Sequence, residues 1–131
     1  MAKLKQITDL NDKIEKGAWV KDLPNLQGLG IAVKVRGYGN TMHMRAIGEA
    51  YSKLSEKERL DEDVTYEIDG DIMVKTLLLD WTGIDDLKFS PENAKKAMSD
   101  PNLRILRAGI DWATKTVAQN GHEKLEADAK N

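Results

Sequence analysis

Among the 131 residues, the side chains best suited to metal or acid–base work are His43, His122 and the carboxylates Asp80, Asp85 and Asp86. A helical metal pair needs two ligands one turn apart, and His43 has no histidine four residues on. The aspartates offer hard oxygen ligands, but two are adjacent, unlike the alternating positions of a calcium loop. Turn-making and capping account for them better. Without cysteine there is no thiolate nucleophile, disulfide or thiolate zinc site. Ser52, Ser55, Ser90 and Ser99 have no obvious histidine partner. The segment Arg36-Gly37-Tyr38-Gly39 opens like the RNP1 signature of RNA-binding sheets, yet Asn40-Thr41 stand where an aromatic and a valine are required. Gly28-Leu29-Gly30 lacks the third glycine of a dinucleotide loop, and the chain has no Walker-type lysine motif. The expectation is a protein that is not an enzyme, holds no cofactor or metal, and works by contact.

Composition narrows the partners. The balance of 20 Lys and Arg against 22 Asp and Glu argues against a nucleic-acid binder, which would carry a basic excess. The most apolar run, Ile72 to Leu79, is interrupted by Lys75 and falls far short of the ~20 residues that span a bilayer. Met1 to Gln6 is followed by charge rather than by the apolar core of a secretory signal, so a cytosolic location is expected. The near-neutral total hides a segregation. Residues 1–60 carry 11 basic against 7 acidic side chains, residues 61–100 carry 4 against 11, and residues 101–131 carry 5 against 4. Either solvated faces happen to sort this way, or an acidic middle and a basic first half form complementary surfaces within one fold or between copies. The second reading predicts self-association.

The elements that must carry these groups follow from periodicity. One chain of this length with 40% apolar residues makes a single core. Thr8 or Asp9 is placed to cap a short helix that Gly17 ends near Lys16. Alternation over Ile31 to Arg36 predicts a strand, with Ala18 to Lys21 as its hairpin partner. Asn40 caps a helix whose stripe Met44, Ile47, Tyr51 and Leu54 reaches about Arg59. Residues 61–69 read equally as strand or helix. From Asp71 the pattern Met73, Thr76, Leu77 and Trp81 predicts a buried helix stopping at Gly83. Ser90-Pro91-Glu92-Asn93 is a strong helix start, and Asp100-Pro101 repeats the device. The last helix places Leu103, Leu106, Ile110, Ala113 and Val117 on one face and ends at Gly121. The sum is a predominantly helical α+β domain over residues 1–121, with about five helices and one small β-hairpin, followed by a loosely held tail at 122–131.

Trp81 ends the apolar helix and precedes Thr82-Gly83-Ile84-Asp85-Asp86, a turn leading to the Ser90 helix, where Trp81 either braces the corner or offers a docking surface. The run Leu77-Leu78-Leu79-Asp80-Trp81-Thr82-Gly83-Ile84, the acidic turn, Lys88-Phe89-Ser90-Pro91-Glu92-Asn93-Ala94 and then Met98 resembles a pattern of tail assembly chaperones from long-tailed bacteriophages. The resemblance covers residues 30–119, and its specific part is about 25 residues long. It implies a non-structural protein of the host cytoplasm that holds the tape-measure protein soluble and recruits tail-tube subunits. It makes Asp80, Trp81, Gly83, Asp85, Asp86, Phe89, Asn93 and Met98 the candidate partner-binding or motif residues. Members of that family are also made in a longer form by a −1 ribosomal frameshift, and Ala129-Lys130-Asn131 permits a slippery heptamer in the gene.

Methionines 42, 44, 73 and 98 offer apolar contacts that repack easily, if they do not simply fill the core. Two other classes stay open: a structural head–tail completion or tail-terminator protein, and a small regulator that binds a host protein.

Overall fold

The computed structural model describes the backbone of residues 1–130 and the side chains of residues 1–119. The chain runs α1 (Leu4–Lys16), β1 (Ala18–Lys21), β2 (Ala32–Val35), α2 (Thr41–Ser52), α3 (Glu56–Leu60), α4 (Glu62–Thr76), β3 (Leu78–Thr82), α5 (Pro91–Ser99), a 3-10 turn (Pro101–Leu103) and α6 (Arg104–Lys130). Among the described residues it is a mainly helical α+β domain, as expected, but with six helices and a third strand. The three strands form an antiparallel sheet in the order β1-β2-β3.

Alternation sorts the two faces of that sheet. Val20, Val33 and Trp81 form one cross-strand row, and Ala18, Val35 and Leu78 form the next. Both rows turn inward, where Val33 and Val35 are wholly buried and pack with Leu77, Ala94, Met98, Ile110 and Ala113. The opposite face carries the row Trp19, Lys34 and Asp80. The face of α6 foreseen from spacing is the buried one, since Leu106, Ile110, Ala113 and Val117 all lie in the core.

The third strand replaces the helix expected up to Gly83. A short apolar run such as Leu77-Leu78-Leu79 has no periodicity that separates a buried strand from a buried helix. Tertiary contacts decide it. Asn40 Nδ2 donates to Thr76 O at 3.0 Å, taking one of the carbonyls that end α4. Arg36 N then donates to Leu77 O at 2.8 Å, and the chain is drawn into register beside β2.

Other boundaries also moved. Residues 62–69 are helical, because the Asp61 carboxylate accepts from Asp63 N and Val64 N and starts α4. The helix expected to reach Arg59 stops at Ser52. Ser55 and Glu58 form a reciprocal capping box that opens α3 as a separate turn. The first helix starts at Leu4 rather than at Thr8 or Asp9. Ser90 caps α5 as foreseen, with Pro91 in its first turn. Gly121 does not stop α6, which continues to Lys130. The loose tail expected at 122–131 and His122 lie outside the described side chains.

Candidate functional site

The glycines of the RNP1-like segment serve packing. Gly37 N donates to Ile14 O at 2.8 Å, and Arg36 Nε donates to Glu15 O at 2.9 Å, so the β2–α2 turn caps the end of α1. A Cβ on Gly37 would sit 2.9 Å from Ile14 Cγ2, which excludes any larger residue at this approach. Glu15 answers by accepting from Thr41 N and from Thr41 Oγ1, at 3.1 and 2.8 Å, at the start of α2.

These contacts fix the mouth of a cleft of about 580 Å³ between α2, α4 and α6. All three tyrosines of the chain, Tyr38, Tyr51 and Tyr66, line it. Its apolar part is Ile47, Ile72, Met73 and Leu77, and its charged part is Asp69, Arg104, Arg107, Asp111 and Lys115. A concave site with an apolar lining and a few convergent polar groups is the usual form of a binding site.

His43 braces one wall. It is buried, and its Nδ1 accepts from Gly39 N at 3.0 Å, which places the ring proton on Nε2. Burial lowers its pKa below the ordinary imidazole value; the carboxylates of Asp69 and Asp111 pull the other way without cancelling the effect. The Tyr38 ring packs edge-on against it, 4.5 Å between centroids. Asn40 anchors the same corner. It is 1% exposed, its Nδ2 donates to Gly37 O and Thr76 O, and its oxygen accepts from His43 N. The spacing assigned Met44 to the inward stripe of α2, but the buried residue is His43 and Met44 faces outward with Met42. The cap geometry of Asn40 sets that rotation.

The cations hold the other wall. Arg107 is 8% exposed; it donates to Met98 O at 2.8 Å and to Tyr66 O at 2.7 Å. Its guanidinium carbon lies 3.5 Å from the Tyr66 ring centroid, and that of Arg104 lies 4.7 Å from it. Gly70 makes this possible, since a Cβ there would stand 2.9 Å from Arg107 Nη1. Tyr51 donates its hydroxyl to Asp69 at 2.7 Å; burial, then that bond, push its pKa up to about 12. Lys115 pairs with Asp111 at 2.9 Å and sits 5.2 Å from the Tyr38 ring.

The residues singled out from sequence lie elsewhere. Asp80 to Asn93 form one corner, and none of them lines the cleft. Trp81 is 3% exposed, donates its indole N–H to Leu87 O at 2.7 Å and meets Phe89 edge-on at 5.0 Å, so it braces the corner. Asp80 accepts from Trp81 N, and Asn93 Nδ2 donates to Lys88 O. Gly83, at φ +88°, lies so close to the Gly30 carbonyl that no Cβ fits. Asp85 and Asp86 are exposed in the turn, while Met98 is buried in the core together with Met73. Trp19 and Trp112 are partly exposed. The described residues contain no cluster of metal-ligating side chains, and none of their helices is long and apolar enough to cross a membrane.

The fold and cleft together define a small α+β domain with a tyrosine-lined, cation-rich groove. The chain belongs to the YdaY prophage protein family, whose model matches residues 39–131, and it is thus a phage-derived protein. That match takes in every residue lining the cleft except Tyr38. No curated protein and no solved structure matches the chain.

Proposed function

We propose that this prophage protein is a non-enzymatic assembly factor, a tail assembly chaperone that holds a segment of the tape-measure protein in the α2/α4/α6 cleft and brings tail-tube subunits to it. The observation that carries the reading is the cleft itself. Three tyrosines supply amphipathic contact at low entropic cost, the apolar floor takes side chains, and charged groups at the rim fix orientation. The lining includes no serine, threonine or cysteine, and the one histidine there has Nδ1 occupied by a backbone N–H, so a binding role suits the chemistry better than catalysis. Phage origin and the Asp80–Asn93 corner, whose sequence resembles a pattern of tail assembly chaperones, support the choice of partner. Self-association around an elongated partner fits the segregated charge.

Co-expression with the tape-measure protein of the same prophage tests the reading. The expected result is a soluble complex, with the tape-measure protein insoluble when expressed alone and this chain missing from purified virions. A tape-measure protein that stays insoluble and uncomplexed, or this chain retained in purified virions, overturns it.

A further inference from the structure

Among the described residues Arg107 is a buried cation without an anion. Among the described residues no carboxylate lies within salt-bridge distance of Arg107 or Arg104, where ion pairs are Lys16–Asp12 and Lys115–Asp111. The two carboxylates of the cleft are already engaged, Asp69 by the Tyr51 hydroxyl and Asp111 by Lys115. A guanidinium has five N–H donors, and Arg107 gives the described residues two hydrogen bonds, both to neutral carbonyls. Burying a charge this way is costly unless an opposite charge completes the site.

The surroundings hold the cation in place for such a group. Tyr66 stacks against both guanidinium groups, Gly70 leaves room for Arg107 Nη1, and the carbonyls of Met98 and Tyr66 fix its plane. A planar fork held rigidly loses little entropy when it binds a carboxylate with two parallel hydrogen bonds. Beside it, Ile72 and Met73 form an apolar floor for a neighbouring side chain.

We infer that the Arg104–Arg107–Tyr66 wall is a carboxylate subsite: the partner segment held in the cleft presents an acidic side chain next to an apolar one. This rests on the reading of the cleft as a groove for a partner chain. The acidic residue docks on the two guanidinium groups and its apolar neighbour enters over Ile72 and Met73. A charge-assisted hydrogen bond exceeds its neutral counterpart enough to make an Asp-to-Asn change in the segment about tenfold weaker.

The test titrates the ¹⁵N-labelled full chain with three probes: the capped peptide Leu-Asp-Leu, the capped peptide Leu-Asn-Leu, and inorganic phosphate. The expected result is saturable shifts at Tyr66, Arg107 and Ala108 with the Asp peptide, about tenfold weaker binding of the Asn peptide, and loss of that preference in Arg104→Gln. Arg104 is exposed and its side chain makes no hydrogen bond to a described residue, so the variant tests charge with little risk to folding. Equal binding of both peptides in the cleft overturns the carboxylate subsite while leaving the partner-groove reading intact. Saturable binding of phosphate alone overturns the chain segment as the source of the anion. No shift with any probe overturns the subsite, and the co-expression experiment then decides separately on the groove.

Discussion

Replacing Arg107 by methionine should destabilise the protein by about 2–3 kcal/mol, although the change removes a buried charge. Methionine keeps the apolar stem that packs between α4 and α6, so the cost falls on the polar end. Met98 O lies in the last turn of α5, where no helical N–H reaches it, and Arg107 is its partner at 2.8 Å. Losing a charged donor from a buried carbonyl costs about 1.5–3 kcal/mol. Tyr66 O lies inside α4 and retains its helical bond, so its loss costs less. Stacking on Tyr66 adds about 0.5–2 kcal/mol, and the relief of guanidinium desolvation subtracts a similar amount. Urea unfolding followed by tryptophan fluorescence measures the net, with an unchanged m-value showing that the folded states are comparable. Arg104→Gln, on the exposed side of the same ring, serves as the control and should cost under about 0.5 kcal/mol. A methionine variant within about 0.5 kcal/mol of the parent would refute the claim that Arg107 ties α5 to α4.

Three further outcomes follow from the same geometry. Gly48→Ala in α2, where a Cβ meets nothing, should gain up to about 1 kcal/mol of stability, read as a higher urea midpoint; Gly70→Ala in α4 should lose stability, because its Cβ strikes the pinned Arg107 and stands 3.3 Å from Met98 O. Asn40→Ala should cost about 2–3 kcal/mol in thermal or urea unfolding from the lost cap and the lost donor to Thr76 O, Gly37 O keeping the backbone N–H of residue 40, and Asn40→Asp should cost more at neutral pH, because a carboxylate would then face Gly37 O and Thr76 O. For His43 the folded pKa lies below its unfolded value near 6.5, so the unfolded chain binds the proton first as pH falls. Its contribution is complete above that value and is lost as pH drops from there toward the depressed folded pKa. Thermal unfolding between pH 7 and 5 should therefore show a shallower loss in His43→Gln than in the parent, and equal slopes would contradict a neutral, buried imidazole.

Much of the frame was legible because single residues announce it. Asn40, Ser90 and Pro91 mark helix starts through their own chemistry, and alternation over Val33 and Val35 marks the central strand. The third strand was not legible, because Leu77-Leu78-Leu79 fits either period and the choice is made by Asn40 and Arg36, distant in sequence. The corner from Asp80 to Asn93 was found, but for its architecture: Trp81 packs on Phe89, the Trp81 indole and the Asn93 amide donate to the carbonyls of Leu87 and Lys88 within the corner, and Asp85 and Asp86 face solvent. The cleft was missed. Tyr51 reads as one more apolar position of a stripe, Tyr66 as an alternating residue, and Arg107 as an ordinary surface cation beside Leu106. The one local signal was an arginine pair three residues apart flanking the apolar face of the last helix, with a glycine inside the preceding long helix to admit it.

The proposed role requires that the cleft, and not another face, holds the partner. A photo-crosslinking residue placed at Ala108, exposed at the cleft, and in a second protein at Lys95, exposed on α5 away from it, separates the two during co-expression with the tape-measure protein. Crosslinks to the tape-measure protein from position 108 and none from position 95 are the predicted result. Crosslinks from position 95 alone, or from neither, would contradict the assignment of the α2/α4/α6 cleft as the binding site.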